Sequence, residues 1–258
     1  MKKPNKARTL QLISAPLLGL AILLQCAFIP APTSVYPVAF KVRGTTAPHI
    51  KNTSKSAAFS FLHSMEIYDS LHLEDLGLSK MVFRMAVKGM EKLSNAGRLK
   101  GNLISIIDFS QPSTSKRLYV IDMDNYELLY NTWVAHGMKS GKTMAKLFSN
   151  KPSSNKSSLG FYVTGEAYQG SNGYSLKLQG MEKGINDFAY RRAIVIHGAD
   201  YVSEQWISSQ GYIGRSKGCP AVPVDVCQPM IDQIKDGTCL FIYHPTSTYR
   251  AKSPLLRK

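Results

Sequence analysis

Leu103–Gly137 reads LISIIDFSQPSTSKRLYVIDMDNYELLYNTWVAHG, and its hydrophobic period is two. LISIIDFS and KRLYVIDMD are strands on either side of the turn PSTS, and Asp124-Asn125 turns the chain into a third strand, YELLYNTWVAHG. Two hairpins in succession predict an antiparallel or mixed sheet. Further on, LGFYVTGEAY (159–168) and YSLKLQG (174–180) are strands bracketing the turn QGSNG. RRAIVIHG (191–198) is nearly continuous in apolar residues, which predicts a central strand, and TCLFIYHP (238–245) a closing one. PVDVCQPMIDQIKDG (223–237) suits one short helix stopped by Gly237.

Before the sheet the period changes. AAFSFLHSMEIYDSL (57–71) and SKMVFRMAVKGMEKL (79–93) space their apolar residues by three and four, predicting two helices broken at EDLGLS (74–79). Ser79 can cap the second helix and Gly97 end it. His63 and His72 read as helix-surface or packing residues. HGMKSGKTMAKLFSNKPSSNKSS (136–158) is a long polar connection, of a length that marks a functional or mobile loop. The fold class is mainly β in an α+β arrangement, with N-terminal helices and one helix after a cysteine turn.

The ends are organised differently. Lys2, Lys3, Lys6 and Arg8 precede the uncharged apolar run LQLISAPLLGLAILLQCAFI, so residues 1–31 read as an export signal or an uncleaved membrane anchor. LLQC has the outline of a lipidation box at Cys26, with Gln25 where a small residue is wanted. Residues 32–55, rich in Pro, Ser and Thr, read as a linker; 56–98 as the helical segment; 99–247 as the principal folded domain; and 248–258 as a frayed basic tail. The formal charge is +15, and without residues 1–31 there remain 28 basic against 17 acidic residues, or +11. An exported protein of that charge is drawn to anionic wall polymers or lipid headgroups. The basic residues are dispersed, which speaks against a specific nucleic-acid partner.

With Cys26 removed or lipidated, Cys219, Cys227 and Cys239 remain, an odd number that leaves at least one free thiol in an oxidising compartment. Cys227 and Cys239 are a possible disulfide pair that sequence alone does not decide. No C-x-x-C or H-x-x-x-H spacing is present, which excludes a zinc site. Cys219 lies in GRSKGCP and His197 ends RRAIVIHG, 22 residues earlier. A cysteine nucleophile needs a base within reach and N–H donors for an oxyanion. Gly218 permits a sharp turn in which the amides of Gly218 and Cys219 can converge, and a following helix favours a thiolate. The plainer reading of the same residues is a core histidine and a buried cysteine.

IVIHGADYVS (194–203) followed by GRSKGCPAVP (214–223) resembles the L,D-transpeptidase, or YkuD-type, catalytic domain of peptidoglycan enzymes, in its divergent murein L,D-transpeptidase branch. IDFSQPSTSKRLYVID, VAHGMKSG, FSN, SSLGFYVTGEAYQGSNGYSLKLQG and NDFAYRRAIVIHG extend the resemblance over about residues 75–245. It implies a YkuD-like mixed β-sandwich and a cofactor-free reaction on peptidoglycan stem peptides. The cysteine attacks the carbonyl between the third residue of a stem tetrapeptide, a diamino acid, and its terminal D-alanine. D-alanine leaves, a thioester remains, and an amine on a second stem captures the acyl group. By matching position Cys219 is the nucleophile and His197 the base, while Ser216, Lys217 and Gly218 shape the turn and its oxyanion donors. His136-Gly137 matches a feature of this branch that either lines the cleft or serves a turn, and Gly198 completes the HG pair.

Two positions depart from the family's pattern. Lys217 stands where a second histidine is usual, and Ala221 where an arginine is usual two residues after the cysteine. Arg192 and Arg215 are candidates to replace that arginine at the substrate. Tyr174 and Ser140 are weaker site candidates that read equally as packing and loop residues. Trp133 and Trp206 read as core or rim aromatics, and His244 as a strand end. Hydrolysis of the same thioester, an L,D-carboxypeptidase activity, is the nearest alternative. A noncatalytic wall-binding module is another, which the intact His197 and Cys219 disfavour.

Overall fold

The computed structural model describes Val42–Arg43 and residues 61–257. The expected export signal or anchor, Cys26, and the linker apart from Val42–Arg43 lie outside the described residues. Nine strands form one mixed sheet among the described residues: β1 (Val42–Arg43), β2 (Leu103–Asp108), β3 (Leu118–Asp122), β4 (Glu127–Thr132), β5 (Gly160–Gly170), β6 (Gly173–Gly180), β7 (Val195–Gly198), β8 (Ala221–Val222) and β9 (Cys239–Tyr243). Their order is β1-β4-β3-β2-β9-β5-β6-β7-β8. The helices are α1 (Phe61–Ser70), α2 (Lys80–Asn95), α3 (Glu204–Gln210), α4 (Val224–Ile234) and α5 (Ser247–Lys252).

The two predicted hairpins form as antiparallel β2–β3 and β3–β4, and β5 folds back on β6 across the predicted turn. The pairings β2–β9 and β7–β8 are parallel, which makes the sheet mixed. It curls until its ends meet. The chain leaving β4 bridges β8 at Ala135–Ala221, with the Ala135 N–H 2.8 Å from the Ala221 carbonyl. A second bridge joins Gly137 to Ser216. The result is a nearly closed, barrel-like sandwich.

Two apolar runs lie elsewhere in the sheet than their sequence predicts. TCLFIYHP, expected to close it, is the middle strand β9: all five of its residues are buried, because β2 and β5 flank it. RRAIVIHG, expected to be central, yields only four strand residues near one end. Its residues are buried because α4 covers the strand and β8 pairs beside it. A side chain at Gly198 would press on Cys227 and Val224 of α4, so glycine sets that close approach.

Helix α2 lies on the other side of the sheet. Ser79 caps it by accepting from the Val82 N–H, and its buried stripe includes Val82, Phe83, Ala86, Val87, Met90 and Leu93. Gly89 faces Phe161, which stacks on Phe241 with ring centroids 4.2 Å apart. A methyl group at Gly89 would fall inside the Phe161 ring, so the helix approaches the sheet through that gap.

The C-terminal residues do not fray. Tyr249 and Ser253 are buried and both donate hydrogen bonds to the buried Glu182 carboxylate, Tyr249 Oη at 3.1 Å from Oε2. Lys88 and Lys92 of α2 hold the carbonyls of Leu256, Pro254 and Arg257. Lysine in this tail said "solvent"; the apolar Tyr249 and the partner Glu182, far away in sequence, decide otherwise. No helix among the described residues is long and apolar enough to cross a membrane.

Candidate active site

The turn from Ser216 to Cys219 hangs between the two bridges that close the sheet. Ser216 clasps it: its Oγ donates to the Cys219 carbonyl at 2.6 Å and accepts from the Gly218 N–H at 3.0 Å. Gly218 has φ +129°, in the region that favours glycine, and a side chain there would meet the Lys156 carbonyl at 2.9 Å. The clasp corrects one expectation. The Gly218 amide is consumed within the turn, and among the described residues it is the amides of Lys217 and Cys219 that lack a protein acceptor. Those two N–H groups are left to donate to a ligand.

Cys219 is a free, half-buried thiol. Cys227 and Cys239 are also free, and buried, so the possible disulfide is not formed. The Cys219 thiol donates to the Ala193 carbonyl at 3.7 Å. Burial raises its pKa, opposed by the Val195 backbone N–H and by the Arg192 cation. The resting group is therefore a thiol, with its charged form disfavoured by burial.

His197 sits in β7 opposite Ala221 of β8, two residues past Cys219. Its Nδ1 lies 2.9 Å from the Gly198 carbonyl, an acceptor only, so Nδ1 carries the ring proton and Nε2 keeps its lone pair. Among the described residues no hydrogen bond joins Cys219 Sγ to that ring. The thiol rests on Ala193 instead.

His136 is wholly buried, so its ring does not line a cleft: Nδ1 accepts from Arg117 Nη2 at 2.9 Å and Nε2 donates to the Gly141 carbonyl at 3.3 Å. Burial, the Arg117 cation and, to a lesser extent, Arg215 bring its pKa down to about 4. Its contribution to the site is its backbone, whose carbonyl receives the Ser216 N–H at 3.0 Å. Tyr174 donates to Asp232 of α4 at 2.6 Å, so its hydroxyl ties α4 down. Arg215 donates to the Met138 and Gly141 carbonyls, lying over the Tyr212 ring. Lys217 is exposed. Ser140, read as a loop residue, is buried and accepts from the Ser157 N–H at 2.9 Å. Ser157 Oγ in turn donates to the Gly218 carbonyl, so the long polar connection is packed against the back of the turn.

Two residues near the thiol carried no sequence signal. Ala193 has φ +51°, rare without a glycine, and it aims the carbonyl that holds the thiol. Tyr201 lies close enough that burial, and then the Cys219 charge, push its pKa up to about 12. A groove of about 970 Å³ lies past the C-terminal ends of β7 and β8, between Trp133, Asp200 and Val224, and Cys219 does not line it. Among the described residues no three His, Cys, Asp or Glu side chains converge as metal ligands.

A family model described as the L,D-transpeptidase catalytic domain matches residues 74–243. The chain belongs to that family. Solved structures similar to this L,D-transpeptidase domain include an L,D-transpeptidase from Mycobacterium smegmatis at 12% identity, covering 56% of this chain and 59% of that one, with a TM-score of 0.34. L,D-transpeptidase 1 of Mycobacterium tuberculosis is similar at 13% identity, 56% and 62% coverage, and a TM-score of 0.32. The helical cell shape determining protein Pgp2 of Campylobacter jejuni is similar at 14%, 66% and 61%, and 0.37. The chain spans about three fifths of the length of these three structures. No curated protein matches it.

Proposed function

We propose that this chain is an exported, peptidoglycan-modifying L,D-transpeptidase in which Cys219 is the nucleophile and His197 the base. The observation that carries the reading is the cysteine turn: a free thiol, two unpaired amides and a strand-borne imidazole of fixed tautomer, within a domain of this family. The Cys219 proton passes to His197 Nε2, and Sγ attacks the carbonyl that joins the diamino acid of a stem tetrapeptide to D-alanine. The amides of Lys217 and Cys219 receive the oxyanion. The C–N bond breaks, D-alanine leaves with the proton from His197, and the acyl group remains on sulfur as a thioester. An amine of a second stem then displaces the thiol, giving a crosslink. Ser216 and Gly218 hold the turn, and Gly198 fixes the base. Arg215 is the arginine nearest to serving a substrate carboxylate, because its hydrogen bonds are to loop carbonyls at the turn's edge.

The partners in this reading are stem peptides and the anionic wall polymer, with the N-terminal apolar run as signal or membrane anchor. Residues 136–158 support the polymer contact, since they hold Lys139, Lys142, Lys146, Lys151 and Lys156 and no acid. The test is to incubate the purified protein with tetrapeptide muropeptides and weigh the products. A crosslinked dimer is expected. Tripeptide alone would replace this reading with a carboxypeptidase, and unchanged substrate with a noncatalytic module.

A further inference from the structure

We propose that Arg192 is a positioning residue for this reaction: its guanidinium is the counter-charge against which the Cys219 thiolate forms. The inference rests on Cys219 being the reacting thiol, as proposed above, and replaces substrate contact as the role of Arg192.

The guanidinium is walled in by the loop behind the cysteine turn. Nη1 donates to the Ser149 carbonyl and to Ser158 Oγ, both at 2.8 Å. Nη2 donates to the Lys156 carbonyl at 2.6 Å and to Ser154 Oγ at 3.3 Å. Four of the five N–H groups of an arginine are thereby used, so the fork is not free to clasp a substrate carboxylate. All four acceptors are neutral. A half-buried cation satisfied only by neutral oxygens keeps its full charge for whatever anion appears beside it.

That anion is the thiolate. Nη2 lies 3.3 Å from where a side chain at Gly218 would begin, so it touches the backbone just before Cys219. The next residue, Ala193, turns through the left-handed region and gives its carbonyl to the Cys219 thiol. The ionisable groups bearing on Arg192 are Tyr162 and Cys219. Tyr162 is fully buried, donates to the Ser158 carbonyl and stays neutral, its pKa driven far up by burial. Of the ionisable groups nearby, Arg192 is the cation that bears on the sulfur and Tyr201 stays neutral, while His197 lies on the neighbouring strand β7 and Lys217 is exposed. When the proton leaves for His197, Arg192 is the fixed charge already in place. Ala221, two residues after the cysteine, is wholly buried and carries no charge, so Arg192 is the arginine that bears on the thiol.

The test is the pH dependence of Cys219 alkylation by iodoacetamide in the full chain, with the modified peptide identified by mass and the fold checked by thermal melting. Arg192→Gln removes the charge, Arg192→Lys keeps it while losing most of the hydrogen bonds, and Ser158→Ala loosens the loop with the charge intact. An adjacent opposite charge typically shifts a pKa by about one to three units, so Arg192→Gln should move the midpoint upward and slow alkylation at neutral pH at least about tenfold. Arg192→Lys and Ser158→Ala should keep the wild-type midpoint. An unmoved midpoint in Arg192→Gln overturns the proposal, and so does a shift in Arg192→Lys or Ser158→Ala as large as that of the glutamine variant. Should Arg192→Gln fail to fold, the lysine variant decides: a wild-type midpoint supports the charge, a shifted one the loop's shape. Alkylation needs no turnover, so a failed muropeptide assay leaves this result readable.

Discussion

Cys219 and His197 are each held by a backbone carbonyl and not by one another. The imidazole spends its one proton on the Gly198 carbonyl, and the thiol spends its own on the Ala193 carbonyl. Neither contact activates the thiol at rest, so under the proposed mechanism the base is needed for the step that forms the thioester. His197→Ala should slow thioester formation by about a hundred- to ten-thousand-fold, the usual contribution of a positioned base. Lys217→Ala should do far less, since that side chain is exposed. Intact-mass kinetics of the acyl-enzyme compares the two, and a larger loss in the lysine variant would reassign the activating group. Cys219→Ala should abolish the thioester yet melt like the parent protein, because the side chain is half-buried and its loss leaves little cavity. A marked fall in melting temperature would mean that the cysteine is a packing residue.

At the scale of elements, the closest contact is α2 on the sheet. Gly89→Ala gains roughly 1 kcal/mol of helix propensity but must displace Phe161, which is pinned by its stack on Phe241. Overpacking of that kind costs about 1–3 kcal/mol, so the variant should melt lower than the wild type. A higher melting temperature would show that the helix slides freely on the sheet. What the sequence revealed divides along the same line. Hairpins and helices followed from local periods, and Ser79 and Gly218 announced a cap and a turn by residue type. Strand order did not follow, because an apolar run records burial on both faces and not which neighbours supply it; β9 and β7 were exchanged for that reason. The clasp on Gly218 was equally hidden, since Ser216 looked like one more polar loop residue. The loop network around Arg192 joins residues 34 to 43 positions apart, a distance over which one sequence carries no pairing signal.

The whole molecule should respond to acid through His136. Its pKa is brought down to about 4 in the fold, against about 6.5 when unfolded, so the unfolded chain takes up the proton first. The stability it contributes is complete above pH 6.5 and drains away as the pH falls toward 4, by about 3 kcal/mol at the limit. Glu182 acts in the opposite sense, because burial raises its pKa against the lowering effect of the hydrogen bonds from Ser253, Phe161 and Tyr249. Melting curves from pH 7 to pH 4.5 should show a decline, and His136→Gln should flatten it even if the variant is less stable throughout. A decline of equal slope in that variant would place the acid sensitivity elsewhere.

The order of strands also dictates when this chemistry can begin. β9 is the last strand in the chain yet lies in the middle of the sheet, parallel to β2 and antiparallel to β5. A chain emerging from its N-terminus holds two half-sheets with an open slot between them, two raw edges of unpaired backbone. Only when residues 239–243 arrive can the slot fill, the sheet curl and Ala135 reach Ala221. Until that moment Cys219 and His197 have not been brought to one end of the sheet, and a chain cut short before the final strand carries a thiol with no fold around it.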